Sequence, residues 1–337
     1  MSSAPSVDEI ARDATWLAQA LDPSQGMVRL IAMSPESYRA SSFLDDRMLQ
    51  MPVDAQILSW QAIEEAMAGE ARTDARWIFH IGHVGSTLIS RLLGEMNGVL
   101  AIREPRILRD LASVPAQIRE PYLPPVPALM SRTFADGEVA CVKATSFVSE
   151  IADGLIPQGA RALFLFASPR NYIGSILAGD QSLQEMANWA EGRMQRMKAR
   201  VPALEGPQRS PAHLAASAWA CEMTSLEAAA ERMPDRAIAW ADFDRMLEDM
   251  PRALADAAAH FGFPADPAET DAIALGPLMS RYSKAVEYEY SPKLRRDLIA
   301  QEEALHGREI EEALAMLDAA AEKSPLLMRA LTRAKEI

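Results

Sequence analysis

The stretch Trp77-Ile-Phe-His-Ile-Gly-His-Val-Gly-Ser-Thr-Leu-Ile-Ser-Arg-Leu-Leu93 decides how this chain is read. Trp77–Ile81 is an apolar run of the length of a buried strand, and Leu88, Leu92 and Leu93 follow it at helical spacing. Between them lies Gly82-His-Val-Gly-Ser-Thr87. A glycine turn that leaves a buried strand and opens a helix gathers backbone N–H groups at the positive end of that helix. Such a turn is an anion site even without a special side chain. Gly82 and Gly85 let the backbone approach a phosphate, His83 and Val84 stand between them, and the hydroxyls of Ser86 and Thr87 add donors. No lysine precedes the Ser-Thr pair, so this is not the G-x-x-x-x-G-K-[ST] loop of ATP hydrolysis.

Outward from this stretch the same pattern repeats. Val139–Val142, Ala162–Ala167 and Ala237–Ala241 are short apolar runs separated by long helical stretches. Continuous apolar strands alternating with helices imply a parallel sheet covered on both faces, an α/β fold with helices flanking a central sheet. Residues 1–75 differ: a Ser6/Glu9 capping box, a β-like run at Met27–Met33 and a helical pattern over 54–69 predict a mixed N-terminal appendage. The expected organisation is this appendage, then one α/β domain over 76–337, with a helical tail from Pro292. The proline-rich segments 121–127 and 206–212 read as loops within it.

Composition narrows the function. Thirty-four Lys and Arg against 47 Asp and Glu give a net charge of −13. A field of that sign repels nucleic acid and anionic lipid. No signal-peptide pattern opens the chain, and no apolar run reaches the roughly 18 residues that span a bilayer, so a reduced cytoplasm is the expected location. Cys141 and Cys221 make neither a disulfide framework nor a zinc site, and His213, His260 and His306 join no ligand constellation, so no metal is expected. His80-Ile-Gly-His83 spells the HIGH signature of class I aminoacyl-tRNA synthetases. The lysine-rich loop that signature requires has only a poor counterpart in Met279–Lys284, and the acidic charge also argues against tRNA.

Four segments in order resemble the sulfotransferase family, whose members use 3′-phosphoadenosine-5′-phosphosulfate (PAPS). Gly82–Leu88 is similar to the family's 5′-phosphosulfate loop, and Arg103-Glu-Pro105 to the segment where many bacterial and protein-directed members carry a glutamate base. Ala167-Ser-Pro-Arg-Asn-Tyr-Ile-Gly-Ser175 is similar to the 3′-phosphate segment, and Ala239–Phe243 with His260–Phe263 to a later family stretch. The resemblance spans about 80 to 265 and implies a P-loop-type α/β fold. It also implies PAPS as donor and a small-molecule or peptide hydroxyl or amine as acceptor.

Residue by residue, the resemblance implies Glu104 as base and Lys143 as a cation after its strand. Gly82–Thr87 and Ser175 become the donor site. Two positions depart from the family: His83 stands where Lys or Arg is usual, and Ala167 where the 3′-phosphate arginine is usual. His83 then becomes the cation at the transferring group, and Arg170, Arg281 and Lys284 are candidates to supply the missing charge. Two other functions share the same loop: a nucleotide-dependent phosphotransferase, and a weakly catalytic nucleotide-binding regulator. Asp242 reads as a helix cap, and Trp189 and Trp219 as core.

Overall fold

The computed structural model describes residues 4–69, 71–204, 206, 210–280 and 291–337. The chain enters through a three-stranded antiparallel sheet, β1 (Trp16–Asp22), β2 (Met27–Ala32) and β3 (Ala55–Ser59), in that order. The pattern over 54–69 had predicted helix throughout, yet residues 55–59 pair with β2, and the helix begins only at Trp60. Period-2 exposure along β3 (alternate residues half-buried) fits a strand with one face covered.

The main sheet follows, with β4 (Arg76–His80), β5 (Val99–Arg103), β6 (Val139–Lys143), β7 (Arg161–Phe166) and β8 (Ala237–Asp242). All four pairings are parallel and the order is β5-β6-β4-β7-β8. With helices against it, this is the P-loop-type α/β architecture expected from the sequence. Trp77, Ile78 and Phe79 are fully buried because β4 lies in the middle and is covered on both faces. The chain moves from β4 to β5 on one side of the sheet and later crosses to β7 on the other. β4 therefore ends at a switch point, where open α/β sheets form their ligand crevice.

β5 is an edge strand, yet all five of its residues are buried. The N-terminal segment covers that edge: Leu44 donates its amide to the Arg103 carbonyl at 2.8 Å. The Arg103 side chain, 1% exposed, donates back to the carbonyls of Ser41, Tyr38 and Arg39 at the end of the helix Pro35–Ala40. One apolar cluster runs from Ile10 through the main sheet to Leu331, so residues 4–75 share their core with the rest.

On the far side, the 22-residue helix Pro211–Arg232 is buried along much of its length. The helix Pro292–Ala321, kinked at His306, packs over the helix Pro169–Leu177. Gly174 lets them touch there, since a Cβ would stand 3.0 Å from Ile299. Among the described residues no helix is long and apolar enough to cross a membrane.

Candidate active site

The turn after β4 is built on left-handed backbone. Gly82, His83 and Gly85 have φ of 78°, 53° and 60°, and the helix Ser86–Gly94 starts directly after them. No side chain caps this helix, and among the described residues the amides of Val84, Gly85, Ser86 and Thr87 donate to no protein acceptor. Gly85 is doubly required, because a Cβ there would lie 1.9 Å from the Phe243 ring. His80 anchors the turn from below. Its Nε2 lies 2.9 Å from the Ala144 carbonyl, and its Nδ1 accepts from the Gly82 amide at 2.9 Å.

β5 and β6 run parallel in register, with Arg103 opposite Lys143, so the residue after β5 meets the end of β6. Glu104 and Lys143, 39 positions apart, thus form a direct ion pair. The Lys143 ammonium is buried and also donates to the Thr87 hydroxyl at 3.2 Å, which links the pair to the loop helix. Glu104 has φ 53°, unusual for a side-chain-bearing residue, and its amide is held by the Lys143 carbonyl at 2.7 Å. Thr145 donates to its second carboxylate oxygen at 3.4 Å.

These groups open into a cavity of about 880 Å³, which takes in the whole loop Gly82–Leu88 with Glu104, Lys143 and Ser175. His83 lines it too, but its ring is turned to the helix Asp180–Asn188, with Nε2 3.3 Å from Glu185 and Nδ1 3.4 Å from the Ser182 hydroxyl. Ser175 donates to the Tyr172 carbonyl at 2.9 Å. Arg170 does not join them. It pairs with Glu303 and Glu311 at 2.7 and 2.6 Å on the helix Pro292–Ala321, away from the cavity lining. Arg281 and Lys284 lie outside the described residues.

Several lining residues escaped the sequence reading. Phe43, Asp45 and Arg47 come from the N-terminal segment, with Arg47 packed on the Phe43 ring and 4.0 Å from Glu104. Arg295 lines it as well, bound to Asp244 at 2.7 Å and over the Phe243 ring. Arg193 and Arg196 meet the cavity beside the fully buried Glu222. Their spacing of three on one helix was the only local signal; Arg47 and Arg295 had none. Trp219 is core and donates to the Ala167 carbonyl, whereas Trp189 is 55% exposed at the cavity rim, beside Phe147. It sits at the break between two helices, where its backbone leaves helical geometry. Burial pushes the thiols of Cys141 and Cys221 up to about 12, so neither serves as a nucleophile near neutral pH.

No family model matches the chain, and no curated protein matches it. Similar solved structures, at low identity, include three sulfotransferases. The sulfotransferase domain from the curacin biosynthetic pathway has TM-score 0.40 and 12% identity over 67% of this chain and 87% of that one. The sulfotransferase domain from the Synechococcus PCC 7002 olefin synthase has 0.41 and 13%, over 68% and 88%. The mouse sulfotransferase SULT7A1 complexed with PAP has 0.40 and 11%, over 78% and 90%.

Proposed function

We propose that the chain transfers a sulfuryl group from PAPS to a hydroxyl or amine acceptor. The observation that carries this is the meeting of Glu104 and Lys143 with the unpartnered loop amides in one cavity. PAPS, when bound, supplies an activated sulfuryl group on a phosphate leaving group. The residues present fit such a donor, since four amides at a helix start and the hydroxyls of Ser86 and Thr87 can hold its 5′ side. Ser175 and Arg295 line the cavity and suit the 3′ side, with Arg295 in place of the arginine replaced by Ala167.

Glu104 accepts the proton of the acceptor group as that oxygen or nitrogen attacks sulfur, and the sulfur–oxygen bond to phosphate breaks. Lys143 reaches both Glu104 and Thr87, so it places a positive charge between base and loop, where negative charge spreads during in-line transfer. His83 belongs to the loop and lines the same cavity. Its ring nitrogens lie against Ser182 and Glu185 on the neighbouring helix, which fix its orientation.

The test is binding followed by turnover. Adenosine 3′,5′-bisphosphate should raise the melting temperature without Mg²⁺, and ATP with Mg²⁺ should do less. Glu104→Gln should keep that shift but lower turnover roughly 10²- to 10⁴-fold. Mg²⁺-dependent stabilisation by ATP alone would instead favour phosphoryl transfer.

A further inference from the structure

The cavity that holds the Glu104–Lys143 pair is also lined by a guanidinium with unused donors. Arg109, on the helix Arg106–Ala112, lines the cavity together with Ala112 and Ser113. Among the described residues its side chain makes no hydrogen bond; it only approaches Asp45 and Asp46, each at 4.0 Å. Asp45 is already occupied by Arg47, which grips it through two nitrogens at 2.8 and 2.7 Å. Asp46 is bonded by Arg106, which also holds Asp110, and lies 3.7 Å from Arg29. Four guanidiniums thus share three carboxylates, while Glu104 is committed to Lys143. The charge left over falls at Arg109, where it faces the cavity.

The position of this charge matters. Asp45 connects Arg109 to Arg47, and Arg47 reaches the outer oxygen of Glu104. The loop Gly82–Thr87 and Ser175, the donor side, border the same cavity. Phe43, Phe147 and the exposed Trp189 add apolar surface to the same cavity. A guanidinium with free donors is suited to a planar, bidentate carboxylate. We propose that Arg109 selects the acceptor: a hydroxylated molecule with an apolar body and a carboxylate, whose acid group binds Arg109 while its hydroxyl reaches Glu104. This inference rests on Glu104 being the base, but the binding of the acid can be read without any transfer.

Calorimetry on the full chain, with adenosine 3′,5′-bisphosphate present, tests it with matched probes. These are 4-hydroxyphenylacetate against 4-hydroxyphenylacetamide, and 6-hydroxyhexanoate against its amide. The wild-type chain should prefer the acid of at least one pair by about tenfold or more, a difference of about 1.4 kcal/mol. Arg109→Ala should bring that ratio to about one, and Arg109→Lys should leave it in between. Arg109→Gln serves where the alanine variant does not fold. Equal binding of acid and amide by the wild type, no binding of either included, overturns the proposal, as does a preference that survives removal of Arg109. Bisphosphate is titrated alone in the same series. If it does not bind while the acid preference depends on Arg109, the PAPS reading falls and the carboxylate site stands.

Discussion

At Gly85 two constraints coincide. The backbone is left-handed, and the space a Cβ would need is filled by the Phe243 ring. Gly85→Ala is therefore expected to displace either the loop or Phe243. The expected outcome is loss of most of the bisphosphate-induced thermal shift, with a drop in stability of about 1–3 kcal/mol by chemical denaturation. A variant that binds bisphosphate as the wild type does would show that the loop tolerates the side chain. Lys143 makes a different case, because its ammonium is buried against a carboxylate. Lys143→Met leaves Glu104 without its ion-pair partner, which typically costs 3–5 kcal/mol for a buried pair. The double change Lys143→Met with Glu104→Gln should recover part of that loss, and denaturation of the three variants measures the coupling.

At the scale of elements, the helix Met250–Phe261 shows how an end is held. Gly262 closes it in the left-handed conformation with φ 72°, and Arg161 bonds the last carbonyls, including His260 at 2.7 Å. His260 reaches from this helix to the Ala162 carbonyl on β7, 2.9 Å away. Burial lowers its pKa below the usual 6.5, so the folded protein favours the neutral ring. A depressed histidine pKa means that the unfolded chain takes up the proton first as pH falls. Its contribution to stability is complete above about 6.5 and is lost as pH drops from there toward the folded value. The melting temperature should decline from pH 7 to pH 5.5, and His260→Gln should flatten that decline. A parallel decline in both proteins would assign the pH dependence elsewhere.

Across the whole molecule, two buried arginines bind the N-terminal residues to the main sheet. Arg103 donates to three carbonyls around the helix Pro35–Ala40, and burial lowers its pKa to about 10, still well above physiological pH. Arg132, also buried, donates to the carbonyls of Ile10 and Trp16. Between these ties the N-terminal segment covers the β5 edge and carries Phe43, Asp45 and Arg47 to the cavity. A chain cut to 76–337 would expose that edge and the apolar residues packed on it, so it should be insoluble or lack a cooperative melting transition. Calorimetry of the truncated chain checks this, and a sharp transition near that of the full chain would show that the first 75 residues are dispensable to the core.

The central strands and the loop were legible in the sequence because their causes are local. Trp77–Phe79 must be buried on both faces, and the glycines at 82 and 85 supply the left-handed turn wherever the chain goes afterwards. The same is true of Asp242, which caps the next helix by accepting from the amides of Asp244 and Arg245. β3 was missed because its five residues run straight into a helix, and only pairing with β2 separates the two. β5 carries no period of its own, being apolar from Val99 to Ile102 and buried by a segment more than 50 residues earlier. The site divides along the same line. Local chemistry marked Gly82–Thr87 and the family resemblance pointed to Glu104 and Lys143, but parallel register alone brought the last two into contact. Arg170, local in sequence to the 3′-phosphate-like segment, was taken up by Glu303 and Glu311 from a distant helix. Arg47, Arg109 and Arg295 reached the cavity by packing between elements far apart in the chain. A side chain's backbone conformation is set by its neighbours in sequence, whereas the charge it meets is set by which elements bury their apolar faces together. Only the tertiary structure decides the second.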